Sequence, residues 1–204
     1  MGFFDFNTAE SQASGELIPA KTLMKVISAI RSGGGGDDLY LTISDSGFEY
    51  LKFEFTVISS PMAKRKIFQN IGVGGVTDGH AKAAEISRSL IRAMLESARG
   101  VDPKDVSDKA NAARRIQGWG DLNEMEFAIE VGIEKGKDGY EDRNKIQRVL
   151  TPEHPQYQNV MAGNTVLPEK GAKSTTAAAA PAWQKEAPAQ AASTVSSAVP
   201  AWAK

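Results

Sequence analysis

Residues 48–73, FEYLKFEFTVISSPMAKRKIFQNIGV, decide how the rest of the chain is read. The run opens in strict alternation. Glu49, Leu51, Phe53, Phe55 and Val57 fall on one face, and Phe48, Tyr50, Lys52, Glu54 and Thr56 fall on the other. Period two with aromatic and β-branched enrichment predicts a half-buried strand. Ser59, Ser60 and Pro61 supply turn chemistry, because proline has no N–H to give a ladder. Lys64, Arg65 and Lys66 follow, and Ile67, Ile71 and Val73 continue as a second strand. The turn therefore delivers three cations and an aromatic, Phe68, beside an apolar face.

Upstream, residues 16–31 (ELIPAKTLMKVISAIR) alternate as a strand. Thr22, Met24, Val26 and Ile30 share one face, and Lys21, Leu23, Lys25, Ile27 and Arg31 share the other. A glycine-rich loop at residues 32–38 leads to a second alternating run, Leu39, Leu41 and Ile43, which predicts strand, hairpin loop, strand. That loop lacks the Gly-Lys-Ser/Thr ending and the helix of a phosphate-binding P-loop. Downstream, residues 72–79 are glycine punctuation before a helix at residues 80–99. There Ile86, Leu90, Ile91, Met94 and Leu95 form an apolar stripe, and Gly100 is a natural stop. Residues 101–120 hold Pro103, a shorter helix around 106–116, and a loop-edge cluster of Arg114, Arg115 and Trp119.

Met125, Phe127, Ile129, Val131 and Ile133 then alternate with Glu124, Glu126, Glu130 and Glu134. This predicts a strand whose acidic outer face a polyanion avoids. Lys135, Lys137 and Tyr140 sit in a hairpin loop. The last strand, residues 142–150, carries Arg143, Lys145 and Gln147 on one face. Four strands, a helix and a closing strand pair predict a mainly β chain: an OB-like, partly open antiparallel barrel with one long helix between strands. A helix-covered α+β sheet is the alternative from the same order.

The 204 residues suffice for one such domain and a tail. We divide the chain into an N-terminal segment at 1–15, the OB-like domain at 16–157 and a disordered tail at 158–204. In the first segment Phe3, Phe4 and Phe6 are expected to pack on the domain. The tail is rich in alanine, serine, threonine and proline and has too little apolar surface to offset its ordering entropy. Within it Pro-Ala-Trp occurs twice, at Trp183 and Trp202, which marks both tryptophans as candidate partner-binding residues.

Cysteine is absent, and His80 and His154 stand far apart, so no thiolate or histidine metal cluster is expected. No nucleophile–base pair is visible, and we expect neither an enzyme nor a cofactor. No apolar run is long enough to span a bilayer, and MGFFDFNTAESQ is unlike a signal peptide, so a cytoplasmic location is expected. The formal net charge of −1 excludes a uniformly basic footprint. Polyanion binding must use a local stripe.

Four pieces of the sequence, LMKVISAIR, FEYLKFEFTVIS, KRKIFQNIGV and DGYEDRNKIQRVL, together resemble a family of phage and prophage proteins. That uncharacterised phage domain is regarded as similar to single-stranded-DNA-binding proteins. The resemblance covers roughly residues 17–157, is best over 64–68 and 140–149, and departs over 101–120. It implies an OB-like fold and a role in phage replication or recombination inside the host cytoplasm. Single-stranded DNA would be the ligand, phage or host replication proteins would be partners through the tail, and a homo-oligomer is allowed.

The residues supply the chemistry such a ligand needs: cations for phosphates and aromatics on which bases stack. The candidate nucleic-acid set is Tyr50, Lys52, Lys64, Arg65, Lys66, Phe68, Lys135, Lys137, Tyr140, Arg143 and Lys145. The competing account makes Phe68 and Tyr140 core or hairpin packing and leaves the charges solvated. At the level of function, the alternative is a phage structural or assembly adaptor without nucleic-acid affinity.

Overall fold

The computed structural model describes residues 16–34, 38–137 and 139–168. The expected packing of Phe3, Phe4 and Phe6 lies outside the described residues, and so does the tail from residue 169, with Trp183 and Trp202. In order, the elements are β1 (Leu23–Arg31), β2 (Leu41–Ile43), β3 (Phe48–Val57), β4 (Lys66–Gly75), α1 (Asp78–Arg99), α2 (Asp108–Ala113), a 3-10 turn (Trp119–Leu122), β5 (Glu126–Glu134), β6 (Arg143–Leu150) and α3 (Tyr157–Met161). Every pairing of these strands is antiparallel.

β3 is the organising strand, and its alternation reads through. Leu51, Phe53, Phe55 and Val57 are fully buried. Phe53 stacks on Phe55 with ring centroids 5.2 Å apart, and Phe127 meets Phe55 edge-on at 5.9 Å. Met24, Val26 and Ile30 of β1, Ile67 and Ile71 of β4, Ile129 and Val131 of β5 and Ile146 of β6 complete the core, with Ile91, Met94 and Leu95 of α1 closing it.

β3 has three partners and only two edges. Along one edge it pairs with β4 from Phe48 to Thr56. Along the other, Val57 to Lys52 pair with β1, and Leu51 to Glu49 continue into β2. β1 and β2 are therefore one strand path, interrupted between Arg31 and Leu41. The expected β1–β2 hairpin is corrected on this point. Gly33 N donates to Leu39 O at 2.9 Å, so the chain leaving β1 meets the chain entering β2.

β1 pairs on its far side with β5, and β5 pairs with β6. β4 and β6 then pack against each other across the remaining gap, where Ile146 N donates to Gln69 Oε1 at 3.0 Å. A bent first strand, the helix between β4 and β5, and an incompletely closed seam are the features of the OB-like, partly open barrel expected from the sequence.

Four local expectations change. Leu41 faces Leu51 as alternation requires, but the three-residue β2 runs past the end of the core, leaving Ile43 49% and Leu39 64% exposed. α1 begins at Asp78 behind an N-cap at Thr77, and its stripe excludes Ile86, which is 67% exposed on the far side. Chain beyond residue 157 belongs to the packed structure. Tyr157 and Val160 are buried with Leu23, Ala128 and Leu150, and Val166 bridges Leu23.

The fourth change concerns the acidic face of β5, which is not bare. Register sets Glu130 opposite Arg148 and Glu134 opposite Arg143. Each pair closes as a salt bridge, at 2.8 and 2.7 Å, and Lys25 holds Glu126 at 2.6 Å. Among the described residues no helix is long and apolar enough to cross a membrane.

Candidate nucleic-acid interface

The outer faces of β1, β3 and β4 form a strip whose rows follow from register. Arg31, Lys52 and Asn70 make one row, Ala29, Glu54 and Phe68 the next, and Ile27, Thr56 and Lys66 the third. Phe68 is 49% exposed. The competing account, in which it packs inside, fails because Ile67 takes the inward position of β4. The guanidinium carbon of Arg31 lies 5.8 Å from the Phe68 ring centroid. Arg31 was absent from the sequence-derived set. Alternation places it outward, but only the two registers across β3 bring it to Phe68.

At the upper end, Tyr50 stacks on Phe48 with centroids 5.7 Å apart and an interplanar angle of 19°. Lys52 Nζ sits 5.9 Å from the Tyr50 ring centroid. A Cβ at Gly72 would come within 2.3 Å of the Phe48 ring, so glycine is what lets that ring approach the β4 backbone there. Phe48 is thus a second residue the sequence reading left out, acting as the support beneath Tyr50.

At the lower end, the turn from β3 to β4 is tied by Lys64 N to Val57 O and Val57 N to Arg65 O, both 2.8 Å. Lys64 adopts a left-handed φ of 73° and is exposed. Arg65 donates through Nη2 to the carbonyl of Glu16. It therefore fastens the chain ahead of β1 at Glu16 and leaves less of its donor set for a ligand than Lys64 or Lys66.

The β4–β6 seam joins this strip to the hairpin between β5 and β6. One groove along it is lined by Arg65, Lys66, Phe68, Arg143 and Asn144. Next to it Phe68, Asn70, Glu134, Arg143 and Lys145 line a second hollow. Arg143 also lines a third, with Lys135, Lys137 and Tyr140. Arg143 is therefore the hinge between β4 and the hairpin. Tyr140 projects there, 81% exposed. The loop is pinched where a Cβ on Gly136 would sit 1.7 Å from the Tyr140 carbonyl oxygen.

Several of these cations already hold carboxylates. Lys66 meets Glu54 at 2.5 Å, Lys135 meets Asp142 at 2.5 Å, and Arg143 meets Glu134 at 2.7 Å. Hydrogen bonds from Lys135 and from the Gly136 N–H hold the Asp142 carboxyl below its ordinary range, and Arg143 does the same to Glu134. Exposed pairs of this kind are weak and screened by solvent, so a phosphate can replace the carboxylate at little cost. Among the described residues, Arg31, Lys52 and Lys145 have no carboxylate within ion-pair distance.

Of the Arg114, Arg115 and Trp119 cluster, Arg114 and Trp119 prove to be tied into the structure, whereas Arg115 is exposed. Arg114 Nε donates to the buried Glu96 at 2.6 Å, and its other nitrogens hold the carbonyls of Asp102, Pro103 and Asp105. Trp119 is half-buried in a hollow lined by Val73, Ile91, Leu95 and Ile116 together with Arg88, Arg92 and Arg114.

No protein-family model and no curated protein matches the chain, so the phage resemblance has no matching family model behind it. Among solved structures, yeast RPA bound to ssDNA is similar over 76% of this chain and 89% of that chain, at 8% identity and a TM-score of 0.23. A likeness of that degree carries no argument. What this chain binds has to be argued from its own surface.

Proposed function

We propose that the chain is a single-stranded-DNA-binding accessory protein of phage or prophage replication or recombination. The observation that carries the binding reading is Phe68: a half-exposed aromatic with Arg31 over its ring, in a strip with Lys52 and Lys66 and beside Arg143 and Lys145. An exposed ring offers a stacking platform, and base–aromatic stacking contributes about 1–3 kcal/mol per base. The flanking cations are spaced along strands and a seam, so they can follow a backbone. Duplex DNA keeps its bases stacked and offers Phe68 and Tyr140 nothing to stack on. Phosphate neutralisation and stacking carry little sequence information, so the main part of the affinity is sequence-independent.

The phage role rests on the sequence resemblance. Recruitment of a replication or recombination partner is assigned to the tail, where tryptophan, the residue type prominent among interface hot spots, occurs twice in the same setting. The test of binding is an anisotropy titration of the full chain with single-stranded and duplex oligonucleotides of equal length. Preference for the single strand supports the reading. Failure to bind either overturns it in favour of the adaptor.

A further inference from the structure

Glu54 is the single carboxylate that β1, β3 and β4 place on the outer strip. β1 and β4 contain no acidic residue, and Glu49 points to the opposite face of the pleat. Glu54 stands directly across the ladder from Phe68. Opposed side chains in an antiparallel pair have Cβ atoms about 4.5–5.5 Å apart, so the Glu54 side chain starts beside the stacking ring, with its carboxylate drawn one row along to Lys66. Lys66 Nζ meets Oε1 at 2.5 Å, and the side chain of Glu54 is 20% exposed.

On a surface that neutralises phosphate, this acid works against affinity by occupying Lys66. What it offers is an acceptor. An ionised carboxylate has about four lone-pair sites and no donor, so it takes a hydrogen bond from one edge of a base and repels another. We propose that Glu54 biases the Phe68 position toward bases with an exocyclic amino group, and so favours cytosine over thymine. This rests on the single-strand reading above.

Cytosine presents an N4 amino donor where thymine presents the O4 acceptor. Thymine puts its O4 acceptor at that place and can offer a carboxylate only the N3–H, one atom further along the edge. The effect is coupled to backbone binding: once a phosphate engages Lys66, Glu54 loses its partner and needs a new donor, which the N4 amino group supplies. Adenine and guanine carry amino groups too, but they differ from pyrimidines in stacking. The two pyrimidines isolate the edge.

The experiment is an anisotropy titration of the full chain with labelled oligo(dC) and oligo(dT) of equal length, at fixed salt and mildly alkaline pH. The wild type is expected to bind oligo(dC) about tenfold tighter, the low end for one charge-assisted hydrogen bond. Glu54→Ala should bring the two within about twofold without weakening oligo(dT), since Lys66 is released. Glu54→Gln keeps the shape and adds an amide donor, so it should move the preference toward thymine. Equal affinities in the wild type, a thymine preference, or a cytosine preference that survives both substitutions would overturn the inference. Failure of the wild type to bind either oligonucleotide is a different result, which removes the single-strand reading and this inference with it.

Discussion

Arg31 closes β1 and Phe68 lies within β4, yet the guanidinium carbon of one sits 5.8 Å from the ring centroid of the other. They meet diagonally across β3, because Arg31 pairs with Lys52 and Phe68 pairs with Glu54. A cation over an exposed ring contributes roughly 0.5–1 kcal/mol. It also positions a positive charge beside the place where a stacked base would lie.

Phe68→Ala should therefore weaken single-strand binding by about 1–3 kcal/mol, the range for one stacked base. Its effect on stability should stay within about 1 kcal/mol, the cation–π contact included, because the ring is half-exposed and the core position beside it is Ile67. Anisotropy and a thermal melt on the same sample separate the two. A large loss of stability would mean that the ring packs more than it presents.

Arg114→Met should do the opposite. It removes one of the two guanidinium partners of the buried Glu96, leaving Arg92 at 2.8 Å. A loss of about 2–3 kcal/mol is expected, short of the value for a fully orphaned buried charge. Urea denaturation reads the loss, and DNA affinity should not change. Weakened binding in a folded variant would return Arg114 to the interface.

α3 should loosen on acidification. Burial, then the Arg148 guanidinium, lowers the pKa of His154 from its ordinary value of 6.5. Its Nδ1 accepts from Gln156 N at 3.2 Å, and its Nε2 lies 3.4 Å from Arg148 Nη2. Protonation turns both nitrogens into donors and removes the acceptor. Because the folded pKa is depressed, the unfolded chain takes up the proton first. The contribution is full above pH 6.5 and is lost as pH falls from there through the folded value. Hydrogen exchange across Tyr157–Met161 should speed up over that window, and His154→Asn should flatten the response. No change in protection with pH would refute the assignment.

For the tail, the cut belongs after Pro168, since Val166 pairs with Leu23. Removing residues 169–204 should leave single-strand affinity within about threefold, because the tail carries four lysines against two glutamates, a small excess for phosphate binding. Partner capture should be lost, and Trp183→Ala with Trp202→Ala should reproduce that defect if the two sites act through effective concentration. Loss of DNA binding on truncation would make the tail the nucleic-acid arm.

Much of the fold was legible because its determinants are local. The alternation of β3 and β5, the helix that stops at Gly100 and the turn at Pro61 are written in neighbouring residues. The in-line join of β1 and β2 was not, because it depends on which edge of β3 each strand takes. The same holds for the site. Exposure of Phe68 and Tyr140 follows from alternation and loop chemistry, whereas the Arg31–Phe68 contact and the pairing of Arg143 with Glu134 exist only through register. The second small core around Tyr157 was hidden by the low-complexity composition that follows it, which drew the boundary too early.

The central claim is that the cations of the strip and seam neutralise phosphates, and a salt titration tests it most directly. The logarithm of single-strand affinity should fall linearly with the logarithm of salt concentration, with a slope of about −0.7 per phosphate engaged. Lys52→Ala with Lys145→Ala removes two cations that hold no carboxylate among the described residues, so folding should be preserved. The slope should become shallower by about 1.4. A salt-independent affinity in the wild type, or a slope unchanged in the double variant, would contradict the account.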